Sequence, residues 1–184
     1  TNTTLPRYCA KSCVVPSNAF NTSGLAALLA GLSLSGSVFA QANFAAPPPT
    51  PYGVSIGIDA AKKVAAASVA EATKNRWRMA IAVVDTGGHL VYFEKMQDTQ
   101  TGSVDLAIEK AKTSALFRRP SKLFEDAVAD GGAGLRLLRL TGAIPIDGGV
   151  PIIQDGKVVG AVGISGGSGE QDGQTAVAGA AALK

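Results

Sequence analysis

The sequence predicts a single α/β (α+β) domain in which helices flank a mainly antiparallel sheet. Two hairpins indicate the sheet. The first joins residues 78–84 and 89–96 through the turn 85–88, and the second joins 150–154 and 157–165 through Asp155-Gly156. Turns rich in Asp and Gly between apolar, β-branched runs are typical of hairpins. Alanine-rich segments with helical spacing precede, separate and follow the two hairpins, which favours an α/β sandwich.

Residues 1–42 are predicted to be a signal peptide with a lead segment. Arg7 and Lys11 give a basic start, an apolar run follows at 24–39, and small residues permit cleavage after Ala40 or Ala42. The apolar centre is about 15 residues long, whereas a membrane helix needs roughly 20. We therefore expect a secreted or periplasmic protein without a membrane span.

Residues 43–54 form a predicted proline-rich linker, because three consecutive prolines favour an extended chain. The folded domain is then 55–184. Within it we expect helices at 58–75, at 103–117 and at the C-terminal stretch 170–183, with a short helix after Pro120. No element is predicted between the paired glycines near 131 and residue 149.

Composition excludes several functional classes. Both cysteines, Cys9 and Cys13, lie in the predicted leader, so the domain has no disulfide, no thiolate metal site and no cysteine nucleophile. Removing Arg7 and Lys11 with the leader lowers the net charge from +3 to +1. No basic block remains that would indicate a nucleic-acid partner.

The helix at 103–117 carries the first candidate ligand-binding residues. Lys110 and Thr113 are three positions apart and so share a side of the helix, where they could point into one pocket with Phe117. Arg118 and Arg119 follow at the helix end. They can be explained as favourable helix-end cations or as partners for a carboxylated ligand such as a haem propionate.

Metal ligands are scarce in this sequence. His89 is the only histidine, which argues against a zinc site and against a histidine-based catalytic system. It sits beside a Gly-Gly turn, where exposure is expected, either as a polar strand-edge residue or as an axial ligand of haem iron. Other possible iron ligands are Tyr52, Tyr92, Met79 and Met96, although Met79 fits a core position better.

A second candidate feature is the glycine-rich turn at 163–169, which follows a strand and precedes a helix. Backbone N–H groups there could hold a carboxylate or a phosphate. A dinucleotide site needs a βαβ unit, and the antiparallel pattern argues against one.

The chain resembles the GlcG/HbpS family of haem-binding proteins in four stretches, 84–96, 100–128, 142–167 and 170–183. The resemblance implies a profilin-like fold, an antiparallel sheet flanked by helices, assembly into homo-oligomers, and haem as the cofactor of some members. It places the family's Lys-Ala-x-Thr motif on residues 110–113 and implies a haem contact for Thr113. It also maps a Gly-Gly-x-Pro element and a closing Gln-Asp pair, which adds Gly149, Pro151, Gln171 and Asp172 as ligand-binding candidates. Lys95 stands where many members have arginine, so a cation remains but the bidentate fork is lost.

We therefore expect an exported haem-binding protein that buffers or senses haem or iron, and not a conventional enzyme. Haem would be held by the Lys-Ala-x-Thr helix and a glycine-rich loop. The alternative is a binder or enzyme for a small organic acid such as glycolate or another carboxylate, using Lys110 and the turn at 163–169. A third interpretation is a structural oligomer in which the glycines only permit close packing.

Overall fold

The computed structural model describes residues 48–183, so the predicted signal peptide lies outside the described residues. Four helices and four strands make up the described domain. In chain order they are α1 (Ile58–Lys74), β1 (Ala80–Val84), β2 (Leu90–Lys95), α2 (Ser103–Phe117), α3 (Lys122–Ala129), β3 (Gly149–Gln154), β4 (Lys157–Ser165) and α4 (Gly169–Ala180). Two 3-10 helices, Gly132–Arg139 and Ala181–Leu183, complete the described chain.

The four strands form one antiparallel sheet in the order β2-β1-β4-β3. Both predicted hairpins are present, and the central contact pairs β1 with β4, from Ala80 opposite Ser165 to Val84 opposite Ala161. The two hairpins therefore lie side by side, and β2 and β3 form the edges. The predicted antiparallel sheet flanked by helices is confirmed.

Successive side chains of each strand point to opposite sides of the sheet, and the two faces of the sheet therefore have different compositions. On one face, Ile81 and Val83 join the core formed with α1 and α4. On the other face, alanines of β1 and β4 pack against alanines of α2. A Cβ at Gly163 would collide with the backbone of α2 at Ala107 and Ala111, so the missing side chain lets this helix lie close to the sheet.

The end of the predicted linker already joins the sheet. The Gly53 N–H donates to the Val158 carbonyl over 2.8 Å, and the Val158 N–H donates to the Pro51 carbonyl over the same distance. Ile56 continues the contact by donating to Val159. Residues 51–56 thus cover the part of β4 that extends beyond its pairing with β1.

The segment between the paired glycines near 131 and residue 149, where no element was predicted, contains the 3-10 helix Gly132–Arg139 and a loop leading to β3. Leu135 and Leu138 remain about half exposed on that helix. The loop is fixed by side chains from other elements: the Ile144 N–H donates to Thr113 Oγ1 and the Asp147 N–H donates to Glu125 Oε2. Within residues 48–183, no helix combines the length and apolar character needed to cross a membrane.

Candidate functional site

A cleft of about 370 Å³ opens along the β3 edge of the sheet, between that strand, α4 and the segment that follows α2. Its volume falls within the usual range of small-ligand pockets. Apolar side chains form much of its wall, and Val177 of α4 is 57% exposed there. The lining residues are Thr50, Arg118, Arg119, Pro120, Val150, Pro151, Ile153, Val177 and Ala180. An apolar wall with two adjacent cations suits an amphipathic anion.

Aromatic rings and backbone carbonyls hold the two arginines of the cleft. The Arg118 guanidinium lies 5.0 Å from the ring centre of Tyr52 and donates to the Thr50 carbonyl over 3.2 Å. The Arg119 guanidinium lies 5.8 Å from the Phe124 ring, and its Nε donates to the Phe117 carbonyl. No ion pair joins either arginine to a carboxylate of residues 48–183. Both retain donors for a bound carboxylate.

A buried ion pair lies inside the domain. Lys110 Nζ of α2 donates to Asp172 Oδ2 of α4 over 2.7 Å, and the two side chains are 1% and 3% exposed. A Cβ at Gly148 would lie 2.8 Å from Asp172 Cβ and 2.9 Å from Lys110 Nζ. Gly148 also has a φ of 120°, which side-chain-bearing residues rarely adopt. The loop before β3 therefore closes over the pair and requires glycine.

Asp172 also receives a backbone hydrogen bond. The Gly167 N–H donates to Asp172 Oδ1 over 2.9 Å. Burial raises the pKa of the Asp172 carboxyl, and the Lys110 ammonium and the backbone donors partly offset that rise. The turn predicted to bind a carboxylate therefore binds one from its own chain, and this geometry does not favour the small-acid alternative built on Lys110 and residues 163–169.

Thr113 and Lys110 are both buried, and neither lines the cleft at the β3 edge. The buried Thr113 hydroxyl donates to the Glu109 carbonyl and accepts from the Ile144 N–H, each over 2.8 Å. Gly149 is buried as well, and its N–H donates to Ser121 Oγ over 2.9 Å. These side chains fix the loop before β3 in the described structure, and their assignment to ligand binding stays a prediction.

The remaining polar candidates lie apart from the cleft. Gln171 and Ser168 form a capping box at the start of α4, in which each side chain bonds the other residue's backbone N–H. Lys95 is exposed at the end of β2. Among the predicted site residues, the structure thus brings Arg118, Arg119 and Pro151 together in one cleft.

His89 lies on the β1–β2 turn with its side chain 81% exposed, as the sequence predicted. Its backbone N–H and that of Gly87 donate to Asp85 Oδ1 over 2.9 and 2.8 Å. Partial burial raises the pKa of the Asp85 carboxyl, but these donors and the His89 ring outweigh it, and the pKa lies below its ordinary value. Met79 is fully buried, as expected for a core residue. In the described part of the chain, no three His, Cys, Asp or Glu side chains cluster as a metal site would require.

The apolar wall of the cleft was missed in the sequence. Val177 belongs to a helix that was recognised only by its alanines, and Thr50 belongs to the predicted linker. The one available signal was Ile153 at the end of β3, an apolar residue on a strand that also carries Pro151. Proline in a strand indicates an edge, where a ligand can approach.

Comparison with known proteins relates this chain to one family. A family model described as haem-degrading protein HbpS-like matches residues 56–181. The chain is 42% identical to Protein GlcG of Escherichia coli K12 over 105 residues, which cover 57% of this chain and 77% of GlcG.

Solved structures agree with this comparison. A double mutant of HbpS from Streptomyces reticuli superposes with a TM-score of 0.66 at 30% identity, covering 72% of this chain and 89% of that one. The PduOC–haem complex superposes with a TM-score of 0.64 at 28% identity, covering 71% and 96%. With the family match spanning more than half of its length, the chain belongs to the HbpS-like family.

Proposed function

We propose that this chain binds haem in the cleft beside Arg118 and Arg119. The observation that carries the proposal is the combination of an apolar wall with two guanidinium groups that have no carboxylate partner among residues 48–183. Haem has the matching chemistry, since its macrocycle is flat and apolar and its two propionates are anionic. The cleft is lined by residues that directly follow the Lys-Ala-x-Thr helix in the chain and by residues of the Gly-Gly-x-Pro element. These are the two segments to which the family resemblance assigned the ligand.

The proposed role is haem or iron buffering or sensing outside the cytoplasm. The leader-like sequence of residues 1–42 supports export, and the family's haem-bound relative supports the ligand. The proposal includes a homo-oligomer, which the resemblance implies. Exposed leucines on the 3-10 helix, Leu135 and Leu138, are of the type that subunit contacts cover.

Hemin titration of the full chain, followed by Soret absorbance with light scattering in parallel, tests this proposal. We expect saturation at a fixed number of hemins per subunit and a mass above that of one chain. Arg118→Gln and Arg119→Gln should each weaken binding by about three- to tenfold, because each removes a charge-assisted hydrogen bond. Arg78→Gln, an equal charge change at an exposed residue outside the cleft and the 3-10 helix, is the matched control.

Two further outcomes bear on the assigned contacts. An unchanged titration in Thr113→Ala and His89→Ala would remove those residues as haem contacts. A weak response that never saturates would mean that hemin only adsorbs, and the proposal would fail. Because the family description names haem degradation, the loaded protein should also be followed over time with ascorbate for loss of the Soret band.

A further inference from the structure

Tyr52 makes two kinds of contact at the end of α2. Its ring lies beneath the Arg118 guanidinium at 5.0 Å from the ring centre. Its one hydroxyl proton is shared between the carbonyls of Ala115 and Leu116, whose oxygens lie 2.8 and 3.0 Å from the hydroxyl oxygen. These are among the last carbonyls of the helix, which find no partner within it. The tyrosine thus binds both the helix end and the cation that follows it.

The position of Tyr52 is fixed by the sheet. The hydrogen bonds on either side of it, from Gly53 to Val158 and from Val158 to Pro51, hold its backbone against β4. Thr50, two residues earlier, supplies the carbonyl that accepts from Arg118. One short segment, Thr50–Gly53, therefore fixes the ring and an acceptor on the same guanidinium.

Arg118 needs such support because of its place in the chain. It is the residue after α2, with a φ of 54° in the left-handed region, and its side chain is half-buried. A free arginine side chain has many rotamers, and a ligand that binds one of them must first restrict the others. The ring and the Thr50 carbonyl restrict them beforehand, while the contacts within residues 48–183 use only one of the five guanidinium N–H donors.

We propose that Tyr52 is a positioning residue that holds the Arg118 guanidinium over the cleft for a carboxylate of the ligand. The segment Thr50–Gly53 then belongs to the ligand-recognition site and is not only a tether. This inference rests on the proposed function for the ligand's identity, and it concerns the carboxylate end of that ligand alone.

The binding test compares hemin with hemin dimethyl ester, in which both carboxylates are blocked, using the full chain. Tyr52→Leu, which removes the ring and the hydroxyl, should weaken hemin binding by about three- to tenfold and leave the ester unchanged. Tyr52→Phe, which keeps the ring, should lose less hemin affinity than Tyr52→Leu. In the Arg118→Gln background, Tyr52→Leu should have no further effect, because the two residues act as one unit.

Several outcomes would overturn the inference. Equal weakening for hemin and its ester would mean that Tyr52 only supports the apolar wall or the fold. If the losses of hemin affinity in Tyr52→Leu and Arg118→Gln add in the double variant, the two residues act independently. Unchanged hemin affinity in Tyr52→Leu would likewise show that Tyr52 does not act through Arg118. Melting temperatures of the variants show whether each remains folded.

A ligand-free measurement separates this inference from the haem proposal. NMR relaxation of the Arg118 side-chain Nε–H should show an ordered group in the wild type and a mobile one in Tyr52→Leu. If hemin does not saturate the wild type but this difference is found, the haem proposal fails and the positioning role of Tyr52 stands. If the Arg118 side chain is equally mobile in both proteins, the positioning role is refuted, whatever hemin does.

Discussion

Replacing Lys110 by methionine removes one partner of the most buried ion pair in the described domain. Asp172 would keep the Gly167 N–H but lose the ammonium at 2.7 Å, inside a site that is nearly closed to solvent. Removing one member of a buried pair costs about 3–5 kcal/mol, because the other charge remains without compensation. Methionine fills a similar volume, so the loss should come from charge and not from a cavity.

Urea denaturation gives the free energy of unfolding for this test. The matched control is Lys112→Met on the same helix, where the lysine is 39% exposed and lies 3.7 Å from Glu109. An exposed pair of this kind contributes about 0–1 kcal/mol, so the control should stay within that range. The free energy of unfolding of the double variant Lys110→Met/Asp172→Asn should fall by much less than the sum of the losses in the two single variants. In the double variant neither charge remains without its partner.

The pH dependence tests whether the uncompensated Asp172 carboxylate causes the loss of stability in Lys110→Met. Without the ammonium, only the backbone donors oppose the effect of burial on Asp172, so the pKa of its carboxyl in the folded state rises further above the unfolded value. The folded state then binds the proton more readily, and stability falls as pH rises through that range. The Lys110→Met penalty should therefore be smaller near pH 5 than near pH 8. A loss below about 1 kcal/mol at every pH would refute the reasoning.

Two more predictions concern packing and burial. Gly163→Ala places a methyl group against the backbone of α2 at Ala107 and should cost about 1–3 kcal/mol in urea denaturation, whereas Gly102→Ala, whose added Cβ would meet nothing within 4 Å, should cost under about 1 kcal/mol. Equal losses would contradict this account of the helix contact. Burial raises the pKa of Asp147, so wild-type stability should fall as pH rises above the ordinary carboxyl pKa. Asp147→Asn should flatten that decline when unfolding is measured at a series of pH values, and an unchanged slope would exclude Asp147 as its source.

Local patterns predicted the regular elements well. The bounds expected for the helix at 103–117 match α2, and both hairpins form at the turns that Asp and Gly indicated. These features depend on neighbouring residues, which a sequence displays directly. The 3-10 helix Gly132–Arg139 was not predicted, because its eight residues are fewer than the window over which a helical period can be recognised.

Most features of the site that were not predicted depend on contacts between residues far apart in the chain. Lys110 and Asp172 are 62 positions apart, and each was identified separately without any indication that they pair. Tyr52 was considered only as an iron ligand, because stacking on Arg118 leaves no periodic signal. The role of the loop before β3 was hidden in the same way, since Thr113 holds it through a backbone N–H that any residue except proline could supply.

Because Lys110 and Asp172 are 62 positions apart, their buried ion pair can form only once α4 is present. The ribosome delivers Lys110 and all of α2 well before the aspartate, and until α4 arrives a compact intermediate would enclose a lone ammonium. Burial of that lone charge would be unfavourable, so the complete domain, including α4, is the state in which the Lys110 charge is compensated.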